Sequence, residues 1–146
     1  MKDLIQIEIT ADRSPCVSIR EQVFILEQNV PKNLELDEFD DSATHILAKF
    51  SGEPAGCARL REVHDFLKVE RVAVLSKFRG NSIAKKIMHF IEDIAASKKK
   101  TIILNAQESV IEFYKKLGYE AEGEKFVEAG IVHIKMKKTP NFGGLS

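Results

Sequence analysis

Hydrophobic and polar residues alternate in several short stretches of the chain, and this alternation predicts β-strands. The alternating stretches cover residues 4–9, 44–50, 55–63 and 66–75, and a final hairpin at about Tyr119–Lys137 that turns near Ala129 and Gly130. The short apolar run Thr101–Asn105 predicts one more strand, buried on both faces.

Between these strands, apolar residues recur at helical spacing in three places. They are Cys16, Ile19, Val23 and Leu26 in the first helix, Ile83, Ile87, Ile91 and Ile94 in the second, and Val110, Phe113 and Leu117 in the third. The resulting element order predicts a three-layer α+β fold (α/β in arrangement), with a mixed sheet and helices on both faces. We expect one domain over residues 1–138 and a loose tail over 139–146.

Composition excludes several classes of function. The chain has 146 residues, and its 22 basic residues balance its 22 acidic ones. We therefore expect neither nucleic acid nor an anionic membrane as a partner. The chain shows no signal-peptide pattern and no apolar run near the ~20 residues that span a bilayer. Cys16 and Cys57 are isolated on apolar faces, which favours buried thiols in a cytoplasmic protein, and the four histidines lack metal-ligand spacing.

The most informative stretch is VERVAVLSKFRGNSIAKKIM, residues 69–88. An apolar strand ends in a polar loop that opens directly into a helix, whose first N–H groups lack intrahelical partners and favour an anion. Small residues at 80, 82 and 84 would let phosphate oxygens approach the backbone, while Arg79, Lys85 and Lys86 add positive charge. The same pattern also suits an ordinary strand–turn–helix connection in which Gly80 only relaxes the turn.

These residues resemble motif A of the GNAT superfamily of N-acetyltransferases, usually Arg-Gly-x-Gly-x-(Gly/Ala). Arg79, Gly80 and Ala84 match it, and Ser82 replaces the second glycine, where a side chain could crowd phosphates or demand a glycine-like backbone angle. A second block, residues 104–123, resembles motif B, with Asn105 followed by Phe113-Tyr114 and Gly118-Tyr119. The phrase at 23–40 further resembles a bacterial subgroup of small, mostly uncharacterised members.

The resemblance implies the GNAT fold, in which a mostly antiparallel sheet has a splayed central strand pair that holds acetyl-CoA as co-substrate, without a metal. It implies that the extended arm of the cofactor pairs with the strand residues Val72, Ala73 and Val74. The N–H of Val74 would then polarise the thioester carbonyl. The implied pyrophosphate site comprises Arg79, Gly80, Asn81, Ser82, Ile83, Ala84 and Lys85.

Two residues of the second block carry implied roles. Tyr114 would protonate the leaving thiolate, although Phe113, Tyr114 and Leu117 also form a stripe typical of a core. Asn105 would contact the cofactor, or it would instead cap the helix that follows.

An acceptor amine must lose a proton before it attacks, so acidic residues are candidates for its site. Residues 35–41 carry five carboxylates in seven positions, and we consider Glu35, Asp37 and Glu38 as substrate-facing groups. A solvated acidic loop is the alternative, although Leu36 and Phe39 argue against one. Glu27 and Glu70 are further base candidates. Arg59 and Arg61 share a strand face that could meet an anionic acceptor group or could pair within the sheet.

The sequence thus predicts a cytoplasmic acyltransferase that moves the acetyl group of acetyl-CoA to an amine by direct attack. The acceptor would be a small-molecule or exposed protein amine. The alternatives are an amino-sugar phosphate N-acetyltransferase, which Arg59 would suit, and a non-catalytic acyl-CoA-binding sensor, to which Ser82 would point. The resemblance also allows a homodimer, since dimers are common in the family.

Overall fold

The computed structural model describes residues 4–35 and 37–140, and a seven-stranded mixed sheet forms its centre. The strands are β1 (Ile5–Thr10), β2 (Thr44–Phe50), β3 (Glu53–Val63), β4 (Phe66–Val74), β5 (Thr101–Gln107), β6 (Glu120–Glu128) and β7 (Ile131–Lys138). Their order across the sheet is β1-β2-β3-β4-β5-β7-β6. All neighbouring strands are antiparallel except β4 and β5, which are parallel.

Helices cover both faces of this sheet. They are α1 (Ser14–Arg20), continued directly by a π-helical segment (Glu21–Glu27), then α2 (Lys32–Glu35), α3 (Ile83–Lys98) and α4 (Ile111–Lys116). Short 3₁₀ turns occupy Glu38–Asp41, Ser76–Phe78 and Glu108–Val110. The predicted α+β architecture is therefore confirmed. The sequence pattern did not reveal the π-helical segment or α2, because both are short and share the apolar spacing of their neighbours.

Two apolar clusters attach the helices to the sheet. On one face, Ile83, Ile87 and Ile91 of α3 pack against strand residues such as Ile46 and Leu67. On the other face, Cys16, Ile19 and Val23 pack against Leu47, Cys57 and Ala73. Burying these apolar groups provides the main favourable free energy of folding. Both cysteines are free thiols inside the second cluster, and burial raises the pKa of Cys16 to about 11.

The helices in the described part of the chain are too short or too polar to cross a membrane. The last strand ends at Lys138. Residues 141–146, the larger part of the predicted tail, lie outside the described residues.

Candidate active site

A gap opens between β4 and β5 after only four paired positions. The pairing runs from Phe66 with Thr101 to Val69 with Leu104. Beyond it β4 continues along β3, whereas Asn105–Gln107 of β5 pair with β7. The predicted splay of the central strands is therefore confirmed. The two walls of the gap present edges of the kind to which an extended ligand can add as a strand.

The wall formed by β4 is shaped by a bulge. Cys57 pairs with Ala73 but Arg59 pairs with Glu70, so β4 carries one extra residue in this interval. Arg71 lies there with a φ of 55°, in the left-handed region that non-glycine residues rarely adopt. Bulges of this kind bend a strand and end its pairing, and this one bends β4 where it leaves β5.

Backbone alternation directs Val74 into the gap. The amide of Leu75 donates to the carbonyl of Ala55 on β3 at 2.9 Å. Because successive residues of a strand point their backbone groups to opposite sides, the N–H of Val74 faces away from β3. The side chains of Val72 and Val74 pack on the α3 side, and that of Ala73 packs in the cluster under α1.

The turn after β4 presents backbone amides at the start of α3. Gly80 has a φ of 87°, and a Cβ there would meet no atom within 4 Å, so the backbone angle rather than crowding explains this glycine. Ser82 has φ 62° and ψ 24°, and no side chain caps the helix there. Lys86 donates to the carbonyl of Ser82 at 3.1 Å. The amides of Ile83, Ala84 and Lys85 precede that bond and are available to an anion.

Ser82 therefore adopts the backbone angle that glycine takes easily, and its exposed side chain points away from the core. Asn81 braces the turn from inside, since its Nδ2 donates to the carbonyl of Phe78 at 2.9 Å. Lys85 is exposed at the mouth of the turn, and among the described residues it forms no ion pair. Lys85 and the adjacent Lys86, which is also exposed, thus supply positive charge in the first turn of the helix.

Arg79 does not supply such a charge. Its Nη1 and Nη2 donate to the two carboxylate oxygens of Glu27, both at 2.9 Å. Its Nε donates to the carbonyl of Val74 at 3.0 Å. The two groups neutralise one another in this structure, and the roles of Arg79 toward the phosphate and of Glu27 toward the acceptor stay predictions.

Part of the acidic segment is tied into buried ion pairs. Glu35 accepts from Arg20 at 2.8 Å and from Arg71 at 3.1 Å. Asp40 accepts from Arg20 at 2.6 Å. Neither carboxylate is left free to attract an ammonium group, so the prediction that Glu35 faces the substrate is wrong. Oppositely charged groups this close and this buried are held as structural pairs.

Asp37 belongs to the same network, since it accepts from Arg59 at 2.6 Å and from Arg71 at 3.2 Å. Burial opposes its ionisation, but the hydrogen bonds from Arg59 and the Phe39 amide, together with the charges of Arg59 and Arg71, outweigh burial and lower the pKa of Asp37. Asp37 is therefore also a structural carboxylate rather than a substrate group. Glu38 is exposed, and its role as a substrate-facing group stays a prediction. Leu36 lies outside the described residues.

Arg59 is wholly buried, at 0% exposure. Asp37, Asp40 and Glu70 all accept from its guanidinium, at 2.6, 3.2 and 3.0 Å. An anionic acceptor could not reach it, so its assignment to a substrate phosphate or carboxylate is wrong. The alternative, pairing within the sheet, accounts for it. Strand spacing correctly placed Arg59 beside Arg61, which also donates to Glu70, at 2.7 Å.

Tyr114 lies on α4, in the apolar cluster that also contains the buried side chains of α3. Its ring packs edge-to-face against Phe113 and Tyr119, with centroids 5.1 and 5.5 Å away. The residue is 6% exposed, and burial raises the pKa of its hydroxyl above the ordinary value of 10.0. The hydroxyl is therefore protonated at neutral pH and able to donate a hydrogen bond.

Asn105 stays within β5, opposite Lys135 of β7, and the turn that follows is preceded by Gln107. Its alternative role as a helix cap is therefore wrong. Gln107 shares the face of Asn105 by strand alternation. It exchanges two amide hydrogen bonds with Gln28, at 2.9 and 3.3 Å.

Sequence reasoning missed Gln28, Gln107, Arg20 and Arg71 as parts of the site. Alternation along β5 could have placed Gln107 beside Asn105, but no local signal foretold the contacts of the other three. Other clusters do not compete for the role of the site. A groove of about 550 Å³ lies beside Arg13 and Glu21 and shares no residue with the gap. Among residues 4–35 and 37–140, no three His, Cys, Asp or Glu side chains gather as metal ligands.

Comparison with known proteins agrees with this geometry. The family described as "Acetyltransferase (GNAT) domain" matches residues 9–140. An uncharacterised N-acetyltransferase of Bacillus subtilis, YjcF, is 40% identical over 122 residues, which are 82% of this chain and 87% of that protein. The crystal structure of Escherichia coli ElaA has a TM-score of 0.78 at 25% identity and covers 92% of this chain and 97% of its own.

A GNAT family acetyltransferase from Elizabethkingia anophelis, solved with acetyl-CoA bound, shares the fold, with a TM-score of 0.70 at 22% identity over 93% of this chain and 96% of that one. The family match spans nearly the whole sheet, including the splayed strands and the turn at 79–84. The chain therefore belongs to the GNAT family of acetyltransferases and is an acyltransferase.

Proposed function

We propose that the protein transfers the acetyl group of acetyl-CoA to an amine of a small molecule or an exposed protein segment, by direct attack within the gap between β4 and β5. The observation that carries this proposal is the pairing of two features at one edge of the sheet. One is the strand edge at Val74, whose N–H faces away from β3 and into the gap. The other is the group of amides at Ile83–Lys85 before the first helical bond.

The two features suit different parts of the same molecule. A diphosphate fits the amides at the start of α3, where the helix dipole and Lys85 favour negative charge. The amide-rich arm of the cofactor fits the edge of β4, because its amides pair with a strand as another strand would. The thioester then lies deeper in the gap, toward the bulge at Arg71.

The chemistry follows from the groups around that position. The nitrogen lone pair of a neutral amine attacks the thioester carbon, and the carbonyl electrons move to oxygen. A backbone N–H such as that of Val74 stabilises this oxyanion. The C–S bond then breaks as the carbonyl re-forms, and the thiolate takes a proton, for which we assign the protonated hydroxyl of Tyr114 as the donor.

The structure of the acidic network bears on the acceptor. An amino-sugar phosphate was favoured by Arg59, but this guanidinium is buried and its charge is offset by three carboxylates. A free amine remains the better candidate, and the assigned carboxylate Glu38 is exposed. The non-catalytic sensor differs from both in predicting binding without turnover.

Calorimetry with acetyl-CoA, followed by thiol release over a panel of amines, tests the proposal. The panel should hold polyamines, amino acids, an amino-sugar phosphate and a lysine-containing peptide. We expect micromolar binding and turnover on at least one amine without a phosphate. Binding without turnover on any amine would favour the sensor, turnover only with the amino-sugar phosphate would favour that alternative, and no binding would overturn all three.

A further inference from the structure

The end of the π-helical segment touches both walls of the gap through two adjacent residues. Glu27 is the last residue of the segment, and Gln28 follows it and donates its N–H to the carbonyl of Val23 at 3.1 Å. This bond spans five residues rather than four, so the last turn is wider than an α-helical turn. Insertions of this kind change the direction of the side chains that follow, and here they send consecutive side chains to opposite walls.

Glu27 holds the wall formed by β4. It accepts two hydrogen bonds from Arg79, and the third donor of that guanidinium reaches the carbonyl of Val74. The geometry is the two-pronged arrangement in which arginine and carboxylate pair most strongly. Through Arg79, Glu27 is therefore connected both to the end of β4 and to the turn that begins α3.

Gln28 holds the opposite wall. Its Nε2 donates to Oε1 of Gln107 at 3.3 Å, and Nε2 of Gln107 donates back to its Oε1 at 2.9 Å. Gln107 is the last residue of β5 and is separated from β4 by the gap. The two amides thus form a closed pair in which each side chain both donates and accepts.

We infer that Glu27 and Gln28, together called the crossbar, are positioning residues that set the width of the gap and thereby hold acetyl-CoA in it. This inference rests on the proposed function. Strand pairing no longer joins the walls beyond Val69 and Leu104. Side-chain bonds from one short segment to both walls replace the missing ladder. Without them the walls sample a wider range of separations, and the cofactor must restrict that motion when it binds.

The crossbar contributes little to global stability. The Glu27–Arg79 pair is roughly 40% exposed on both sides, and ion pairs this exposed add little to the free energy of folding. Loss of the crossbar should therefore change acetyl-CoA affinity while leaving the stability of the fold nearly unchanged. This combination distinguishes a positioning role from a structural one.

The experiment compares wild type with Glu27→Ala, Gln28→Ala, Gln107→Ala and the Gln28→Ala/Gln107→Ala double variant. The matched control is Glu122→Ala, which removes a similarly exposed ion pair with Lys137 on the β6–β7 hairpin, outside the crossbar. We expect each crossbar variant to bind acetyl-CoA roughly 3- to 10-fold more weakly. The KM for acetyl-CoA should rise more than kcat falls, and the Tm should stay close to that of the control.

The double variant separates positioning from direct contact. If the two glutamines act only as a pair, each single variant and the double variant lose the same factor in affinity. Hydrogen exchange of the unliganded protein provides a second measurement that needs no cofactor. Amides of Glu70–Val74 and Asn105–Gln107 should exchange several-fold faster in the crossbar variants than in the control.

Three results would overturn the crossbar. The first is unchanged affinity and exchange in the variants of a wild type that binds acetyl-CoA. The second is tighter binding by the variants, which would mean that the pairs obstruct the gap. The third is additive losses in the double variant, which would mean that each glutamine contacts the cofactor itself. Failure of the wild type to bind acetyl-CoA would overturn the proposed function instead, and unchanged exchange would then overturn the crossbar as well.

Discussion

Replacing Arg20 with methionine tests whether the acidic segment is held by buried ion pairs. Arg20 is 1% exposed. Its guanidinium donates to Glu35 at 2.8 Å and to Asp40 at 2.6 Å. The two carboxylates are themselves buried, at 2% and 6% exposure. Methionine fills much of the same volume without the charge. The variant therefore removes the ion pairs of Arg20 and leaves the carboxylates of Glu35 and Asp40 buried.

The expected loss of unfolding free energy depends on the ion pairs that the variant keeps. Removing one partner of a buried ion pair costs about 3–5 kcal/mol, because the other charge is left without compensation. Here Glu35 keeps Arg71 and Asp40 keeps Arg59, so we expect the lower end, about 3 kcal/mol. Urea unfolding at pH 7 measures it as a shift of the midpoint. A total stability of about 5–15 kcal/mol would absorb that loss.

The pH dependence of this deficit makes the test specific. Burial raises the pKa of Asp40, but the hydrogen bonds from Arg20, the Asp37 amide and Arg59, together with the charge of Arg20, outweigh burial and bring the pKa below its ordinary value of 3.8. A lowered pKa in the folded state adds stability above the unfolded value, and the addition is lost as pH falls through the folded value. The Arg20→Met deficit should therefore shrink by up to about 1 kcal/mol between pH 7 and pH 3. A deficit below about 1 kcal/mol at pH 7, or one that grows in acid, would refute the reasoning.

Three further predictions concern the gap. Lys85→Glu should weaken acetyl-CoA binding about 10-fold in calorimetry, because it places an acid at the start of α3. The control Lys116→Glu makes the same change on α4 and should leave the affinity unchanged. Equal effects of the two variants would argue against the phosphate site. Ser82→Gly should leave the free energy of unfolding within about 0.5 kcal/mol, because relief of the left-handed angle offsets the entropy of glycine. Ser82→Val should lose about 1–2 kcal/mol, and a tolerated valine would contradict that angle. Tyr114→Phe should lower kcat about 100-fold with little change in acetyl-CoA affinity, and an unchanged kcat would remove the acid role.

Hydrophobic spacing was sufficient to predict most of the fold. The alternation in β1–β4 and the 3.6-residue period in α3 reflect which side of each element is buried. Buried positions are occupied mainly by apolar residues, so the sequence shows these sides directly. The strain at Ser82 was among the possibilities that the resemblance raised, because Ser82 stands where the family motif usually has a glycine, at a position that could demand a glycine-like angle. The form of the segment Glu21–Glu27 could not be predicted, since α- and π-helical turns share the same apolar pattern.

In the candidate site, too, local features could be predicted from the sequence and long-range contacts could not. The order strand, polar turn, helix is local, so it pointed to the amides at Ile83–Lys85, whereas the role of Val74 was implied only by the family resemblance. The partners of charged side chains are not local, because a guanidinium on β3 can meet any carboxylate that the fold brings near. Arg59 was therefore placed on the correct face but given the wrong partner, and the acidic run at 35–41 could not be recognised as its counterpart. Only the tertiary structure, by packing that run over the bulge in β4, decided which charges are neutralised inside the protein and which remain free for a ligand.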